Sequence, residues 1–204
     1  MKLTLVFGLV LISGIVLGQE VKEYTLKSLK EANPDSVFSV DLSHEKLTYI
    51  PAELYRFTHI KTLNLTKNKL EFLPDSMAVF TALEVLNLSK NKFKFIPYVV
   101  FQVSSIKQLL LGQNTIEKIP DEIGQLIHLE VLDLYDNAVN DISPKLKELP
   151  SLKTLDIQGV MYNHAFMLNW QTTSDIVSST LIHHVHAWIE LLTILYRNLS
   201  MLVP

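Results

Sequence analysis

The chain has 204 residues, a formal net charge of −3 and no cysteine. The absence of cysteine excludes a disulfide framework, a thiol nucleophile and a cysteine metal site. Its six glycines are scattered and form no phosphate-binding loop, and no G-x-S-x-G nucleophile elbow is present. With this net charge and only a small basic patch without interleaved aromatics, nucleic acid is not expected as a partner.

Residues 1–18 have the pattern of a cleavable signal peptide. Lys2 supplies the positive charge and residues 3–17 form an apolar run, with small residues before a cut at Gln19. The run is shorter than the roughly 20 apolar residues of a membrane-spanning helix, so no integral span is expected. The alternative is an uncleaved anchor.

Residues 19–36 are predicted to form an N-terminal cap. The stretch VKEYTLKSLKEA contains helix-forming residues, and its apolar positions lie near helical spacing up to Pro34. We expect a helix here that covers the apolar edge of the first strand.

Residues 37–159 repeat with a period of 23 residues, in about five full units and a terminal strand. Each unit begins with alternating apolar residues such as Leu63 and Leu65, which predict a short strand with one buried face. A proline follows the next apolar pair in four units, in a turn or extended segment. The second half of each unit has apolar residues three apart, which favours a helical or 3-10 turn on the outer side.

One asparagine recurs at the end of each strand, at Asn68, Asn91, Asn114 and Asn137. Its amide can donate to and accept from backbone groups that a tight turn leaves unpaired, so we interpret these four residues as a structural ladder. A fixed period of this length is typical of a stacked solenoid, whose working surface is an extended face.

The string LxxLxLxxNxLxxIPxxIxxLxxL resembles the leucine-rich repeat in its 23-residue form with Ile-Pro or Leu-Pro. The resemblance implies an α/β solenoid with a parallel concave β-sheet, short helical or 3-10 segments outside, and binding through the concave side. Two positions depart from the pattern: Glu45 replaces asparagine in the first unit, and Val160 stands at the rung after Asn137. Terminal repeats are often atypical because they cap the stack.

The residues predicted to face outward on the concave sheet change along the array. They are basic early, acidic late, and include two apolar groups in the middle. Aromatic anchors with a polar rim, and charges of both signs, are features of protein interfaces. We therefore predict a protein partner, with a glycan as the second class. The predicted partner-binding residues are Asn64, Lys67, Asn87, Lys90, Leu110, Asp133, Tyr135, Asp136 and Asp156.

Asp133 and Asp156 occupy the same outward position in adjacent units and are expected to be neighbours. A carboxylate pair can serve a glycosidase, but these two would lie on an open sheet without a pocket. Binding a cation or a basic side chain, or remaining as solvated surface, are the other interpretations. We expect no catalytic residue and no cofactor.

From residue 160 the composition changes to an apolar, histidine-rich tail without lysine or glycine. Three readings stay open: a cap on the last unit, a segment that packs on a partner or membrane, and a frame-shifted stretch without an evolved role. On a helix, His183, His186 and Glu190 would share one face, which is weak evidence for a metal site.

The sequence thus predicts an exported, non-catalytic binding module, and the lack of cysteine caps favours a bacterial secreted or periplasmic protein. The alternatives are an intracellular signalling scaffold that retains residues 1–18, and a truncated or frame-shifted repeat protein without activity.

Overall fold

The computed structural model describes residues 23–159. Its nine strands are β1 (Glu23–Tyr24), β2 (Ser39–Asp41), β3 (Thr62–Asn64), β4 (Val85–Asn87), β5 (Gln108–Leu110), β6 (Lys118–Ile119), β7 (Val131–Asp133), β8 (Asp141–Ile142) and β9 (Thr154–Asp156). Its α-helices are α1 (Leu26–Leu29) and α2 (Tyr98–Gln102), and its 3-10 helices are Pro34–Ser36, Ala52–Arg56, Asp75–Val79, Asp121–Gln125 and Pro144–Glu148.

Seven strands form one parallel sheet in the order β1-β2-β3-β4-β5-β7-β9. From β2 onward, the residues that lie side by side on neighbouring strands are one 23-residue repeat apart: Leu63 lies beside Leu86, and Leu86 beside Leu109. Each 23-residue unit is therefore one coil of a solenoid, and residues 23 apart form a column that crosses the coils. The predicted solenoid and parallel sheet are confirmed.

The outer side of each coil is a short helical segment that begins directly after the predicted proline. Pro51, Pro74, Pro97 and Pro120 each precede such a segment, because proline fixes φ and has no N–H to leave unpaired there. The fifth coil has Ser143 instead, and its hydroxyl accepts a hydrogen bond from the Lys145 N–H at 3.0 Å. In this coil a serine cap takes the position of the proline, and Pro144 follows as the first residue of the segment.

The core is one continuous apolar layer between the main sheet and the outer segments. The strand leucines of every inner coil are fully buried, as are Phe57, Phe80 and Phe93 in the turns. Burying one such side chain contributes on the order of 1.5–3 kcal/mol, and a single coil has no second face of its own to pack against. Stability therefore comes from stacking.

The N-terminal cap is built differently from the long helix that the sequence predicts. The helix is one turn, Leu26–Leu29, and the chain before it forms β1, in which Tyr24 is buried and aligned with Val40. Asn33 then begins a separate 3-10 turn by accepting from the Asp35 N–H, with Pro34 in its first position. The edge of β2 is thus covered by a paired strand.

The opposite end of the described array is β9, where Leu152 and Leu155 are only partly buried. The predicted signal peptide, the tail from residue 160 and its histidine cluster lie outside the described residues.

Candidate functional site

The outward face of the main sheet, called here the concave face, brings the predicted binding residues into one register. Asn64 lies beside Asn87, Asn87 beside Leu110, Leu110 beside Asp133, and Asp133 beside Asp156. These five residues form one column across five coils, because the strands are parallel and in phase. Tyr135 and the turn residues Lys67, Lys90 and Asp136 follow the ends of their strands.

Most of this column also has a structural role that the sequence reading missed. The side-chain oxygen accepts a hydrogen bond from the N–H two residues ahead: Thr66 N donates to Asn64 Oδ1 at 3.1 Å, and Gln158 N donates to Asp156 Oδ1 at 2.9 Å. Asp41, Asn87 and Asp133 make the same bond. Asn and Asp favour such turns because their short side chains reach the local backbone. Leu110 has no oxygen to offer, so its side chain serves no such turn.

The turn residues of the face adopt a left-handed backbone in every coil. Lys67, Lys90 and Gln113 have φ of 57° and Asp136 has 53°, and all four side chains are exposed. Gln113 donates from Nε2 to Asp136 Oδ2 at 3.3 Å. A left-handed residue other than glycine is strained, so this turn is held by the hydrogen bonds around it.

The acidic end of the face is electrostatically perturbed at Asp133. Burial raises the pKa of its carboxyl, the Tyr135 N–H that it accepts lowers it, and the neighbouring charge of Asp156 raises it. A Cβ added at Gly112, on the preceding coil, would lie 3.0 Å from Asp133 Oδ2. Gly112 therefore leaves the space that this carboxylate occupies.

The two apolar residues of the face differ in exposure. Tyr135 has 36% of its surface exposed, whereas Leu110 is half-buried within the column. Leu110 is flanked by Asn87 on one strand and Asp133 on the other. The middle of the face is thus an apolar spot between an amide-rich, lysine-bordered half and a carboxylate-rich half.

The four ladder asparagines bond to backbone groups of two coils at once. Asn91 donates from Nδ2 to Leu88 O of its own coil and to Leu65 O of the preceding coil, both at 2.9 Å, and accepts from Leu70 N at 3.0 Å. Asn68, Asn114 and Asn137 repeat the pattern and are buried. Each side chain therefore closes the turn of the coil before it and is unavailable to a partner.

A column of alternating charge precedes the strands and was missed at the sequence level, although its 23-residue spacing was visible. Lys107 Nζ lies 2.7 Å from Glu84 Oε2, Lys61 Nζ lies 3.9 Å from the same carboxylate, and Lys153 Nζ lies 2.7 Å from Glu130 Oε2. The Glu84 carboxylate raises the pKa of Lys107, and the Lys153 ammonium lowers the pKa of Glu130. These exposed pairs align the coils, each with a small contribution.

The described residues carry no evidence of metal chemistry or of a membrane span. In residues 23–159 no group of three or more His, Asp or Glu side chains converges as ligands for an ion. No helix in the same range has the length and apolarity to cross a bilayer. The aspartate pair lies on the open sheet, where it shares the column with the turn-forming residues described above.

Comparison with known proteins agrees with this geometry. A family model described as a leucine-rich repeat region matches residues 37–199. The chain belongs to the leucine-rich repeat family. Comparison of the sequence with curated proteins finds no match.

Solved structures of leucine-rich repeat proteins share the fold. A Leptospira interrogans leucine-rich repeat protein is similar at 27% identity and a TM-score of 0.53, over 63% of this chain and 38% of that one. The structure of PEPR1–AtPEP1 matches at 25% identity and a TM-score of 0.54, over 62% of this chain and 19% of that one. The plant peptide hormone receptor RGFR1 in complex with RGF2 matches at 23% identity and a TM-score of 0.55, over 69% of this chain and 23% of that one. The chain spans well under half the length of these three proteins.

Proposed function

We propose that this leucine-rich repeat protein is an exported, non-catalytic module that binds a protein partner through its concave face. The observation that carries the proposal is the register of the face. Leu110 lies between a half bordered by Lys67 and Lys90 and a half that contains Asp133 and Asp156, and Tyr135 follows Asp133 in the same coil. The similarity to the solved structure of PEPR1–AtPEP1, a leucine-rich repeat neighbour, supports a protein partner.

The distribution of chemistry favours a partner that contacts several coils. Asn64 and Asn87 have their carbonyl oxygens engaged in turns, but their amide groups remain to donate outward. Lys67 and Lys90 present charges at the rim, where they speed encounter and orient a partner. A chain segment with an acidic end, an apolar centre and a basic end complements this order.

Replacements taken from equivalent positions in other coils test the face without disturbing the fold. Leu110→Asn introduces the residue found beside it at Asn87, and Tyr135→Ser introduces the residue of the equivalent position Ser89. We expect the pair to weaken binding of a partner captured by the full chain about 30-fold or more, the scale of an interface hot spot. The matched control is His128→Ala, an exposed residue outside the main sheet.

Binding should be measured by calorimetry with the identified partner, and folding by circular dichroism. Unchanged affinity in the doubly substituted protein would remove the concave face from the proposal. Export is tested separately by sequencing the N-terminus of the protein recovered outside the cytoplasm, where we expect Gln19. Recovery only inside cells with Met1 retained would instead favour the intracellular scaffold.

A further inference from the structure

A second exposed surface lies away from the concave face and consists of three aromatic rings in one column. Tyr49, Phe72 and Phe95 occupy the same position in successive coils and have 68%, 61% and 66% of their surface exposed. The coils are stacked in phase here, because Lys69 N donates to Leu47 O at 2.8 Å and Lys92 N to Leu70 O at 2.9 Å. We call these three residues the aromatic column.

The column is separate from the proposed binding face. Its next two positions are Lys118 and Asp141, which are paired in the two-stranded sheet of β6 and β8, not in the main sheet. Their side chains form an ion pair at 2.6 Å, which ends the apolar stretch. Phe72 and Phe95 also follow Lys69 and Lys92 in the same turns, so the expectation that the basic patch lacks aromatics is wrong.

Three adjacent rings form a larger patch than scattered surface apolar residues do. An aromatic side chain has on the order of 200 Å² to bury, so two-thirds exposure of three rings leaves about 400 Å² in one stretch. Apolar patches of this size on soluble proteins commonly mark an interaction site. None of the concave-face chemistry described above uses these residues.

The two flanks of the column have opposite charge. On the side that precedes the rings, residues 45–48, 68–71 and 91–94 contain four lysines and two glutamates, a net charge of +2. On the side that follows, residues 50–55, 73–78 and 96–101 contain only Glu53 and Asp75, a net charge of −2. Arg56, the next charge along, lies 5.7 Å from the centroid of the Phe57 ring.

We propose that a second copy of this chain packs on the aromatic column, related by a two-fold axis parallel to the stacking direction of the coils. Such an axis places the column of one copy on the column of the other and each basic flank over the partner's acidic flank. A two-fold axis in the plane of the interface and perpendicular to the stacking direction would instead place the basic flank on the partner's basic flank and the acidic flank on its acidic flank. The charge pattern is self-complementary for the first arrangement only.

The size of the patch sets the expected strength of the dimer. Two columns bury about 800 Å² in total, which with the flanks reaches the lower end of specific interfaces. The dimer is therefore reversible. It leaves both concave faces free, so that one dimer presents two binding faces and gains affinity for a partner with two sites.

The oligomeric state of the full chain as a function of concentration tests this proposal, by sedimentation or light scattering. Phe72→Lys introduces the residue that the fourth coil already has at this position, Lys118. We expect it to raise the dimer dissociation constant about 30-fold, whereas the control Ile127→Lys, at an apolar residue 49% exposed and off the column, leaves it unchanged. Asp75→Lys and Lys69→Asp should each weaken the dimer, and the double charge swap should restore it.

Cross-linking tests the two-fold axis itself. Because the chain contains no cysteine, Phe72→Cys introduces a single thiol, which on oxidation should join two copies, while Ile127→Cys should not. A protein that is monomeric at all concentrations, or a dimer insensitive to Phe72→Lys, overturns the proposal. Monomers that bind phosphatidylserine vesicles would assign the column to a membrane surface. If the Phe72→Cys protein stays monomeric and its thiol does not react with an added thiol reagent, the chain's own residues 160–204 cover the column.

Discussion

Removing one ladder amide from the middle of the array should destabilise the protein strongly. Asn91→Ala takes away the acceptor of the Leu70 N–H at 3.0 Å and the donor to Leu65 O and Leu88 O, both at 2.9 Å. The Leu70 N–H then lacks a protein partner, whereas Leu65 O still accepts from Asn68 Nδ2 at 2.9 Å and Leu88 O from Asn114 Nδ2 at 3.1 Å. Leaving such a group unpaired costs about 1–3 kcal/mol. Because Asn91 is half-buried, we expect the lower end of this range for the Leu70 N–H and, with the two lost donor bonds, a total loss of about 2 kcal/mol.

Urea unfolding followed by far-ultraviolet circular dichroism measures this loss as a fall in the midpoint at an unchanged slope. Asn114→Ala is the comparison, since Asn114 is buried and makes the same bonds to Phe93 N, Leu88 O and Leu111 O. We expect it to cost more than Asn91→Ala. Losses below about 1 kcal/mol at both positions would refute the reasoning, because even one backbone N–H left unpaired inside the array costs about 1 kcal/mol or more.

Three further substitutions test other parts of the coil in the same unfolding assay. Lys90→Gly should stabilise by about 0.5–1 kcal/mol, because glycine adopts the left-handed φ of 57° without strain; the control Lys92→Gly, outside the left-handed set, should not stabilise. Asp133→Asn should keep the bond to Tyr135 N and stabilise at pH 7, since burial and Asp156 raise the carboxyl pKa. The charged form therefore opposes folding, and the gain should fade as the pH drops through the raised pKa and the aspartate becomes protonated; a gain that grows on acidification contradicts this sign. Glu84→Gln should cost less than about 1 kcal/mol, because its pairs with two lysines are exposed; a larger loss would mean that the charge column is a principal source of stability.

The solenoid could be predicted from the sequence because its determinants are local and repeated. The alternation of Leu63 and Leu65, the proline that follows the apolar pair in four units, and the three-residue spacing after it each specify one part of the coil. The 23-residue period then specifies how parts from different coils meet, since residues one period apart become neighbours across the sheet. The contacts between coils therefore follow from the period alone.

The N-terminal cap was harder to predict because its strand has no periodic signal. The two residues of β1 are too few to show alternation, and they lie within a stretch of good helix formers. Backbone pairing with β2 and burial of Tyr24 outweigh that helix propensity. Propensity is a weak preference that tertiary contacts override.

The aromatic column and the charge column show a different limit. Both have the same 23-residue spacing as the asparagines, yet a reading aimed at the concave face passes over positions on other sides of the coil. Conversely, Asp133 and Asp156 are read from sequence as free carboxylates, although each accepts a backbone N–H in its turn. Spacing predicts which residues are neighbours, but hydrogen bonding decides which of them remain free to bind.

The direction of the ladder explains why the first coil tolerates Glu45. Each asparagine serves the coil before it, so Asn68 already accepts from Leu47 N and donates to Leu42 O. An asparagine at position 45 would bond to the turn of a coil that precedes β2. The strand before β2 is instead the cap strand β1, whose Glu23 pairs with Ser39 and not with a residue one full period later. Glu45→Asn should therefore change stability by less than about 0.5 kcal/mol, the range of an ordinary surface substitution. The midpoint of urea unfolding measures it, and a gain above about 1 kcal/mol would show that the cap contains a turn for this amide to close.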